Sequence, residues 1–209
     1  IPGGFAGNGR TQFLVVQNGY WYVAGYTNAG FAVTNTGLAP TGEYGAADFD
    51  GDGLADLMAQ SGGLTPTIHV RRNVSAPAST ALTVQFATTA QSIWTIPSLR
   101  QSMPWDNLRV ADLNGDGRAD IVALTFNKSE RNPKFFATPL LSNGFGNAFT
   151  VGTESLLVQE SMVTMADWNA DGCSDILQVR SVFVSNCAGA FVELATGATA
   201  ATGNTLYTA

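Results

Sequence analysis

The ten residues Asp112-Leu-Asn114-Gly-Asp116-Gly117-Arg118-Ala-Asp120-Ile121 form a loop motif that indicates both a fold and a metal site. Oxygen-bearing side chains stand at its first, third, fifth and ninth positions, and glycine stands at the sixth. Alternate spacing in a tight loop turns these oxygens toward one point, and glycine permits the positive φ of a sharp turn. The carbonyl of the seventh residue adds a further oxygen. Such hard oxygen ligands suit Ca²⁺, which takes about six to eight oxygens, better than Mg²⁺, which usually retains several waters.

The residues that follow the loop are apolar and β-prone: Ile121-Val-Ala-Leu124. An EF-hand would instead need a glutamate at the twelfth position and a helix on each side of the loop. Here the closing acid is the ninth residue. The motif therefore predicts a calcium loop that runs directly into a β-strand.

The motif occurs in two further copies, at 48–57 and 167–176, and each copy is followed by an apolar run. We therefore predict three Ca²⁺ sites; the alternative is three solvated acidic turns. The seventh residue of each loop would contribute its carbonyl. The predicted ligands are Asp48, Asp50, Asp52, Leu54 and Asp56; Asp112, Asn114, Asp116, Arg118 and Asp120; and Asp167, Asn169, Asp171, Cys173 and Asp175. A fourth copy, Gly4–Phe13, keeps the turn glycines but has no carboxylate, and we expect it to hold no ion.

The composition is typical of an all-β protein with many turns, because only 12% of the residues are charged and 23 are glycine. The three loops hold four, three and three acids, which is ten of the 16 in the chain. Three bound Ca²⁺ ions would offset the formal net charge of −6, so the acidity indicates metal ligation and not a cationic partner. No basic cluster exceeds the pair Arg71-Arg72, which argues against nucleic-acid binding. No apolar run approaches a membrane span.

The loop copies begin at residues 4, 48, 112 and 167, and each begins a similar series of strands and turns. The Asn18-Gly19 pair between two apolar runs predicts a type I′ hairpin turn. Periods of this length with about four strands each indicate propeller blades. We predict an all-β, propeller-type repeat protein, a partial or small propeller, with four units of about four antiparallel strands at 1–43, 44–107, 108–162 and 163–209.

The unequal spacing of the copies predicts insertions. We expect them between the second and third strands of two units, at 62–79 and 127–134, with another irregular stretch at 100–105. The first unit lacks a strand before its loop, and residues 206–209 resemble that strand. Either this segment closes the ring, or the chain is a piece of a longer propeller. An open half-ring would have edges that a second copy could cover.

The loops and the Ser/Thr-Asn-x-Gly-x-Phe turns resemble the FG-GAP/VCBS repeat family of integrin-like calcium β-propellers. The resemblance covers almost the whole chain. It implies a calcium ion at the rim of each intact blade and commonly a seven-bladed ring. The run Gly19–Val23 is most similar to bacterial Rhs/insecticidal-toxin-type repeats. The resemblance implies a secreted or cell-surface domain that binds or acts as a scaffold, with an unknown protein or glycan ligand. The alternatives are a glycan-binding lectin and an accessory domain of a secreted enzyme.

Catalysis is not predicted, because His69 is the only histidine and has no acid beside it in the sequence. Several aromatic residues could either stack on sugars or pack between blades, and we favour packing. They are Tyr20, Trp21, Tyr22, Tyr26, Trp94 and Trp105. A further set shares the second loop position and is expected to fill the same gap in each blade. Its members are Phe5, Phe49, Leu113 and Trp168.

The two cysteines, Cys173 and Cys187, are predicted to form a disulfide. The runs 176–179 and 182–184 indicate two antiparallel strands with a turn near residue 180. Opposed residues would then have position numbers that sum to about 360, as those of the two cysteines do. A disulfide would place the protein in an oxidising compartment. The alternative is a pair of buried thiols.

Overall fold

The computed structural model confirms an all-β chain. It describes residues 1–61, 66–76, 82–98, 100–102, 108–127, 133–144, 149–157, 163–178 and 181–194. These residues form four antiparallel sheets and no helix. Each predicted repeat unit supplies the main strands of one sheet, and these main strands pair in the order in which they follow one another along the chain. The arrangement is compatible with a partial propeller.

The strand bounds are as follows. The first sheet contains β1 (Pro2–Gly3), β2 (Gln12–Gln17), β3 (Tyr20–Thr27) and β4 (Gly30–Asn35). The second contains β5 (Glu43–Ala47), β6 (Asp56–Gln60), β7 (Thr67–Arg71) and β8 (Gln91–Thr95). The third contains β9 (Arg100–Ser102), β10 (Leu108–Ala111), β11 (Asp120–Asn127), β12 (Phe135–Leu141), β13 (Thr150–Val151) and β14 (Ser155–Leu157). The fourth contains β15 (Thr164–Ala166), β16 (Asp175–Leu177), β17 (Val182–Ser185) and β18 (Phe191–Leu194).

Each of the four loops reverses the chain between the first main strand of a sheet and the second. The reversal needs left-handed backbone at the fourth and sixth loop positions, as at Gly115 (φ 74°) and Gly117 (φ 81°). The loop at 167–176 uses Ala170 at φ 59°, which is an unusual conformation for a residue with a Cβ. The predicted type I′ turn is also confirmed, since Asn18 and Gly19 both have positive φ and join the paired residues of β2 and β3.

Three hydrophobic cores lie between successive sheets. The side chain at the second loop position packs into the core shared with the next sheet, where Phe5, Phe49 and Leu113 are 0%, 2% and 1% exposed. The prediction that all four such residues fill this gap is wrong for Trp168, which is 51% exposed. The reason is that no fifth sheet follows β15–β18 in the described part of the chain.

The prediction that the first unit lacks its first strand is wrong. Strand β1 pairs with β2, with Pro2 opposite Phe13. The backbone of Ile1 also exchanges hydrogen bonds of 2.7 and 2.9 Å with that of Leu14. The edge expected for residues 206–209 is therefore occupied by the start of the chain, and those residues lie outside the described ranges.

The position of the second-unit insertion was also predicted incorrectly. His69 lies inside β7, and the long connection instead joins β7 to β8, from residue 72 to 90. Leu82, Val84 and Phe86 of this connection return to fill the core between the first two sheets. Apolar packing therefore determined the position of the insertion, which the repeat spacing could not indicate.

The other two irregular stretches are only partly described. In the third unit, the predicted insertion coincides with the connection between β11 and β12, of which 128–132 lie outside the described residues. Residues 100–102, expected to be irregular, form β9 and pair with the end of β11. Long β11 thus has β10 and β9 in succession along one edge.

The Cys173–Cys187 disulfide is present, with a Cα–Cα distance of 5.7 Å. Ile176 pairs with Phe183 and Leu177 with Val182, so opposed position numbers sum to 359, against the predicted value of about 360. The cysteines lie beyond the paired strands, where Cys187 adopts a φ of 56°. The bond therefore joins the last acidic loop to the turn between β17 and β18.

Removing the Leu113 side chain tests the sheet-to-sheet packing. Leu113→Ala is expected to lower the free energy of unfolding by about 2–5 kcal/mol, because it leaves a cavity between two sheets. Trp168→Ala, at the same loop position, is expected to change the unfolding free energy of a single chain by less than about 1 kcal/mol, because the side chain is exposed there. Urea denaturation at one low protein concentration measures both. Equal losses for the two variants would contradict the packing described here.

Removing the disulfide tests its contribution to stability. The double variant Cys173→Ser/Cys187→Ser is expected to lose about 3 kcal/mol of unfolding free energy, because the bond closes a loop of about 15 residues in the unfolded chain. A reductant should lower the stability of the wild type and leave that of the variant unchanged. Two free thiols in protein denatured without reductant would contradict the bond.

Candidate metal centres

The first aspartate of each acidic loop organises the loop backbone. Asp112 Oδ1 accepts a hydrogen bond from Gly115 N at 2.7 Å, and Oδ2 accepts one from Gly117 N at 2.8 Å. Asp48 accepts equivalent bonds from its loop, and Asp167 accepts one from Gly172 N at 3.0 Å. The loops are therefore folded around their first carboxylate, with oxygens already oriented inward.

The carboxylates at the first, third and fifth positions of the loop at 48–57 converge. Asp48, Asp50 and Asp52 each bring an oxygen within 4.8 Å of the others. The pKa of Asp52 is raised, mainly by partial burial and to a smaller extent by the negative charges of Asp50 and Asp48. Carboxylates held this close favour a bound cation, and their oxygens are the hard ligands that Ca²⁺ takes. They could hold such an ion together with the Leu54 carbonyl.

The ninth-position aspartates have a second role that the sequence did not indicate. All three are completely buried, and each accepts one backbone N–H from its own loop and one from a residue at or just past the end of the third main strand. Asp120, for example, accepts hydrogen bonds from Leu113 N at 2.9 Å and Ser142 N at 2.7 Å. The equivalent donors are Phe49 and Asn73 for Asp56, and Trp168 and Ser185 for Asp175. These carboxylates fasten the loop to the sheet.

The ninth-position carboxyls of the first two acidic loops titrate far from their usual range. Burial, reinforced by the charges of Asp50 and Asp52, raises the pKa of Asp56 to about 7. Burial, reinforced by the charges of Asp116 and Asp112, raises the pKa of Asp120 to about 6. Backbone hydrogen bonds oppose both shifts. The raised pKa values reflect the burial of these carboxyls first, and the negative charge of the neighbouring loop acids second.

Two arginines contact the acidic loops. Arg72 Nε donates to Asp50 Oδ2 at 2.7 Å, and its Nη2 contacts the same oxygen. Arg118, expected to offer only its carbonyl, also places its guanidinium against Asp116 Oδ2. Each arginine binds one oxygen of one carboxylate at the edge of its loop. No arginine or lysine is seen to pair with the carboxylates of the loop at 167–176, as far as the chain is described.

The third acidic loop has sulfur atoms beside its acids. Asp171 lies close to the sulfurs of Cys173 and Cys187. Those sulfurs are bonded to each other and carry no thiolate charge, so they are not metal ligands. Asp171 Oδ1 accepts from Cys173 N at 2.9 Å, as the fifth position of this motif does elsewhere. The atoms that could coordinate a cation in this loop are therefore oxygens.

The loop without carboxylates has a neutral group at its centre. Gln12, at the ninth position, is fully buried, and its Nε2 donates to Asn8 Oδ1 at 2.8 Å and to the Arg10 carbonyl at 2.5 Å. These acceptors stand at the fifth and seventh positions, where the acidic loops have predicted calcium ligands. Gln12 Oε1 accepts from Ala6 N at 3.0 Å. An amide N–H thus meets the acceptors that a cation would meet in the other loops.

The remaining candidate residues are dispersed. His69 Nδ1 lies 3.2 Å from Ser92 Oγ, with no acid in that contact. Trp21 is buried and directs its indole N–H to Glu43 at 3.3 Å, as expected for packing. Tyr20 and Tyr26 are instead 45% and 61% exposed on the first sheet, so packing was the wrong prediction for them. Trp94 is half-buried against the core between the second and third sheets, and Trp105 lies outside the described residues.

Membrane insertion through a helix has no candidate in the described ranges. Every regular element there is a strand, and none of these residues belongs to a helix long and apolar enough to cross a membrane.

Replacing Gln12 by glutamate tests the role of its amide. Gln12→Glu puts a carboxylate oxygen against two acceptors, Asn8 Oδ1 and the Arg10 carbonyl, and is expected to cost about 2 kcal/mol of unfolding free energy in EDTA. Gln17→Glu, on an exposed strand end of the same sheet, is the matched control. Urea denaturation measures both variants, and equal stability of the two would contradict the assigned hydrogen bonds.

Comparisons with protein-family models, with curated proteins and with solved structures gave no match. The similarity of the four loops to FG-GAP/VCBS repeats therefore stays a resemblance, carried by the sequence motif. The arrangement of four successive sheets is consistent with it.

Proposed function

We propose that this chain is a calcium-stabilised binding or scaffold domain of propeller type. One observation carries the proposal. A single loop geometry occurs four times, and its oxygens converge on a centre. In one copy a glutamine amide N–H occupies that centre, and in the loop at 48–57 three carboxylates converge on it. The loops at 112–121 and 167–176 each combine three aspartates with an asparagine whose amide donates to one of those carboxylates. A divalent cation is the group that would satisfy the acidic copies.

The metal would act on stability and not on chemistry. Clustered carboxylates repel one another, and a Ca²⁺ ion at their centre replaces repulsion by attraction. Extracellular calcium modules bind with Kd values of roughly 10⁻⁴–10⁻³ M. A ligand that binds only the folded state at about 100 times its Kd adds ~2.7 kcal/mol per site. Three sites would thus contribute much of the stability of the domain.

The proposed setting is a secreted or cell-surface protein of Rhs/toxin type, in which this domain has no catalytic activity of its own. The Cys173–Cys187 disulfide is compatible with an extracellular location, and millimolar calcium is available there. An accessory domain of a secreted enzyme would have the same properties. Binding assays with candidate protein partners would separate the two settings.

Calcium titration tests the proposal. Isothermal titration of EDTA-treated protein is expected to show up to three sites, and calcium is expected to raise the melting temperature. Asp112→Asn should remove one site, because Asp112 holds both the loop backbone and an expected ligand oxygen. Glu154→Gln, which changes a carboxylate paired with Arg100 outside the loops, is the control. Unchanged melting in EDTA and in calcium would refute the proposal.

Glycan binding is the second candidate, and the exposed tyrosines favour it. Tyr20 and Tyr26 are on the open side of the first sheet, where a ring could stack on a sugar. A glycan array probed with wild type and with Tyr26→Ala decides the matter. Binding that the variant loses would support a lectin, and no binding to any glycan would remove this candidate.

A further inference from the structure

The two outermost sheets leave apolar faces open at opposite ends of the structure. The face of the first sheet, here called the entry face, consists of Phe13, Val15, Tyr26, Phe31 and Val33, which are 42–63% exposed. The face of the fourth sheet, here called the exit face, consists of Trp168, Val192 and Leu194, which are 45–61% exposed. Exposed apolar patches of this kind mark interaction surfaces.

Repeat equivalence shows what the entry face lacks. The tenth loop position is Leu57, Ile121 or Ile176 in the second, third and fourth sheets, and each is 0% exposed against the preceding sheet. Phe13 has that position in the first sheet and is 54% exposed. The first sheet therefore presents the same apolar position with no sheet packed on it.

The glycine-turn phenylalanines repeat the pattern. Phe149 and Phe191 are 9% and 8% exposed in the cores toward the preceding sheets, whereas Phe31 is 63% exposed. Two independent positions of the repeat thus identify the entry face as the missing half of an interface that occurs three times within the chain.

The exit face has the complementary half. In each internal interface the second loop residue of one sheet meets a phenylalanine of the next. Phe5 packs edge-to-face on Phe86 at 6.1 Å, and Phe49 packs likewise on Phe149 at 5.8 Å. Leu113 and Phe191 share the third core. Trp168 is the next residue of this series, and Phe31 is the unmatched phenylalanine.

Backbone hydrogen bonds extend the same series. The eighth-position N–H of each later loop donates to the first-position carbonyl of the preceding loop. These bonds are Ala55 N to Gly4 O at 3.1 Å, Ala119 N to Asp48 O at 2.8 Å and Ser174 N to Asp112 O at 2.7 Å. Asp167 O and Thr11 N are the acceptor and donor that continue the series, and both residues are exposed.

We propose that the entry face of one copy of this chain docks on the exit face of a second copy. Trp168 of one copy would pack on Phe31 of the other, and Thr11 N would donate to Asp167 O. The contact is head-to-tail, so two copies make it twice and close a ring of eight sheets, within the range of about four to eight blades typical of propellers. Among the described residues the two faces do not cover one another, because both are exposed in the same structure.

The chemistry of the entry face fits a second copy better than a sugar. Strands β2, β3 and β4 contain no charged residue, and the face combines phenylalanine and valine with tyrosine. Sugar hydroxyls need polar partners between stacking rings, whereas the exit face offers tryptophan, valine and leucine. The inference does not depend on calcium.

Sedimentation and light scattering of the 209-residue chain test the proposal. Wild type is expected at twice the chain mass of 21.9 kDa. Phe31→Glu and Trp168→Glu should each raise the dimer dissociation constant at least about 100-fold, since each removes a central aromatic contact. Leu156→Glu, an equally exposed apolar position of the third sheet, should stay dimeric. Unchanged circular dichroism verifies that each variant is folded.

Mixing distinguishes a head-to-tail contact from a symmetric one. An equimolar mixture of Phe31→Glu and Trp168→Glu retains one intact pair of faces, so it should form a dimer that neither variant forms alone. A dimer that survives Trp168→Glu but not Phe31→Glu would overturn the proposal, as would a monomeric wild type or a ladder of longer chains.

A photo-reactive residue at position 168 provides a second measurement in otherwise unchanged protein. Cross-links to residues 30–35 of an isotopically labelled copy support the contact, and cross-links confined to 195–209 of the same copy overturn it.

Discussion

The structure depends on a buried carboxylate, the aspartate at the ninth position of each acidic loop. A buried charge is costly unless hydrogen bonds surround it, and each of these aspartates has two backbone N–H donors. One donor is in the loop, and the other lies at or just past the end of the third main strand, 17 residues onward for Asp56 and 22 for Asp120. A single side chain therefore fixes both where the loop ends and where the third strand ends.

The second of these donors, the one near the end of the third main strand, also joins neighbouring sheets. Its side chain turns to the carbonyl of the second loop residue in the preceding sheet. Asn73 Nδ2 donates to Phe5 O at 2.8 Å, and Ser185 Oγ donates to Leu113 O at 2.8 Å. Ser142 Oγ makes the same contact with Phe49 O. The hydrogen bonds that hold a loop on its sheet are thus continuous with those that hold one sheet on the next, and a cation in the loop would strengthen both.

Local signals in the sequence predicted much of the fold. The period of the loop motif separated the sheets, the Asn18-Gly19 pair located a hairpin, and the spacing of the cysteines indicated their bond. Packing over long distances was not predictable in this way. Phe86 fills a core position more than 80 residues from Phe5 in the sequence, and nothing local marks it as the equivalent of Phe149. Trp168 has the motif position of a core residue, and its exposure depends on the number of sheets that follow.

The ligand positions were predicted from oxygen spacing alone, and the structure adds the groups that compete for those oxygens. The oxygens that point into the four loops are contacted by different hydrogen-bond donors and positive charges. Gln12 supplies a neutral donor, which suffices because its loop has no carboxylate. Arg72 and Arg118 each supply a full charge, but a guanidinium at the loop edge reaches one carboxylate and cannot contact the oxygens at several positions together.

A Ca²⁺ ion at the centre of a loop is small enough to contact oxygens from several positions at once. The arginines oppose such an ion by Coulomb repulsion, and they do so unequally. The loop at 48–57 sets four acids against Arg72, and the loop at 112–121 sets three acids against Arg118. The loop at 167–176 has three acids and no such arginine among the described residues. Because the affinity of a calcium site depends on the number of charged ligands, we expect the three loops to differ, and the balance of charges would favour the ion least in the loop at 112–121.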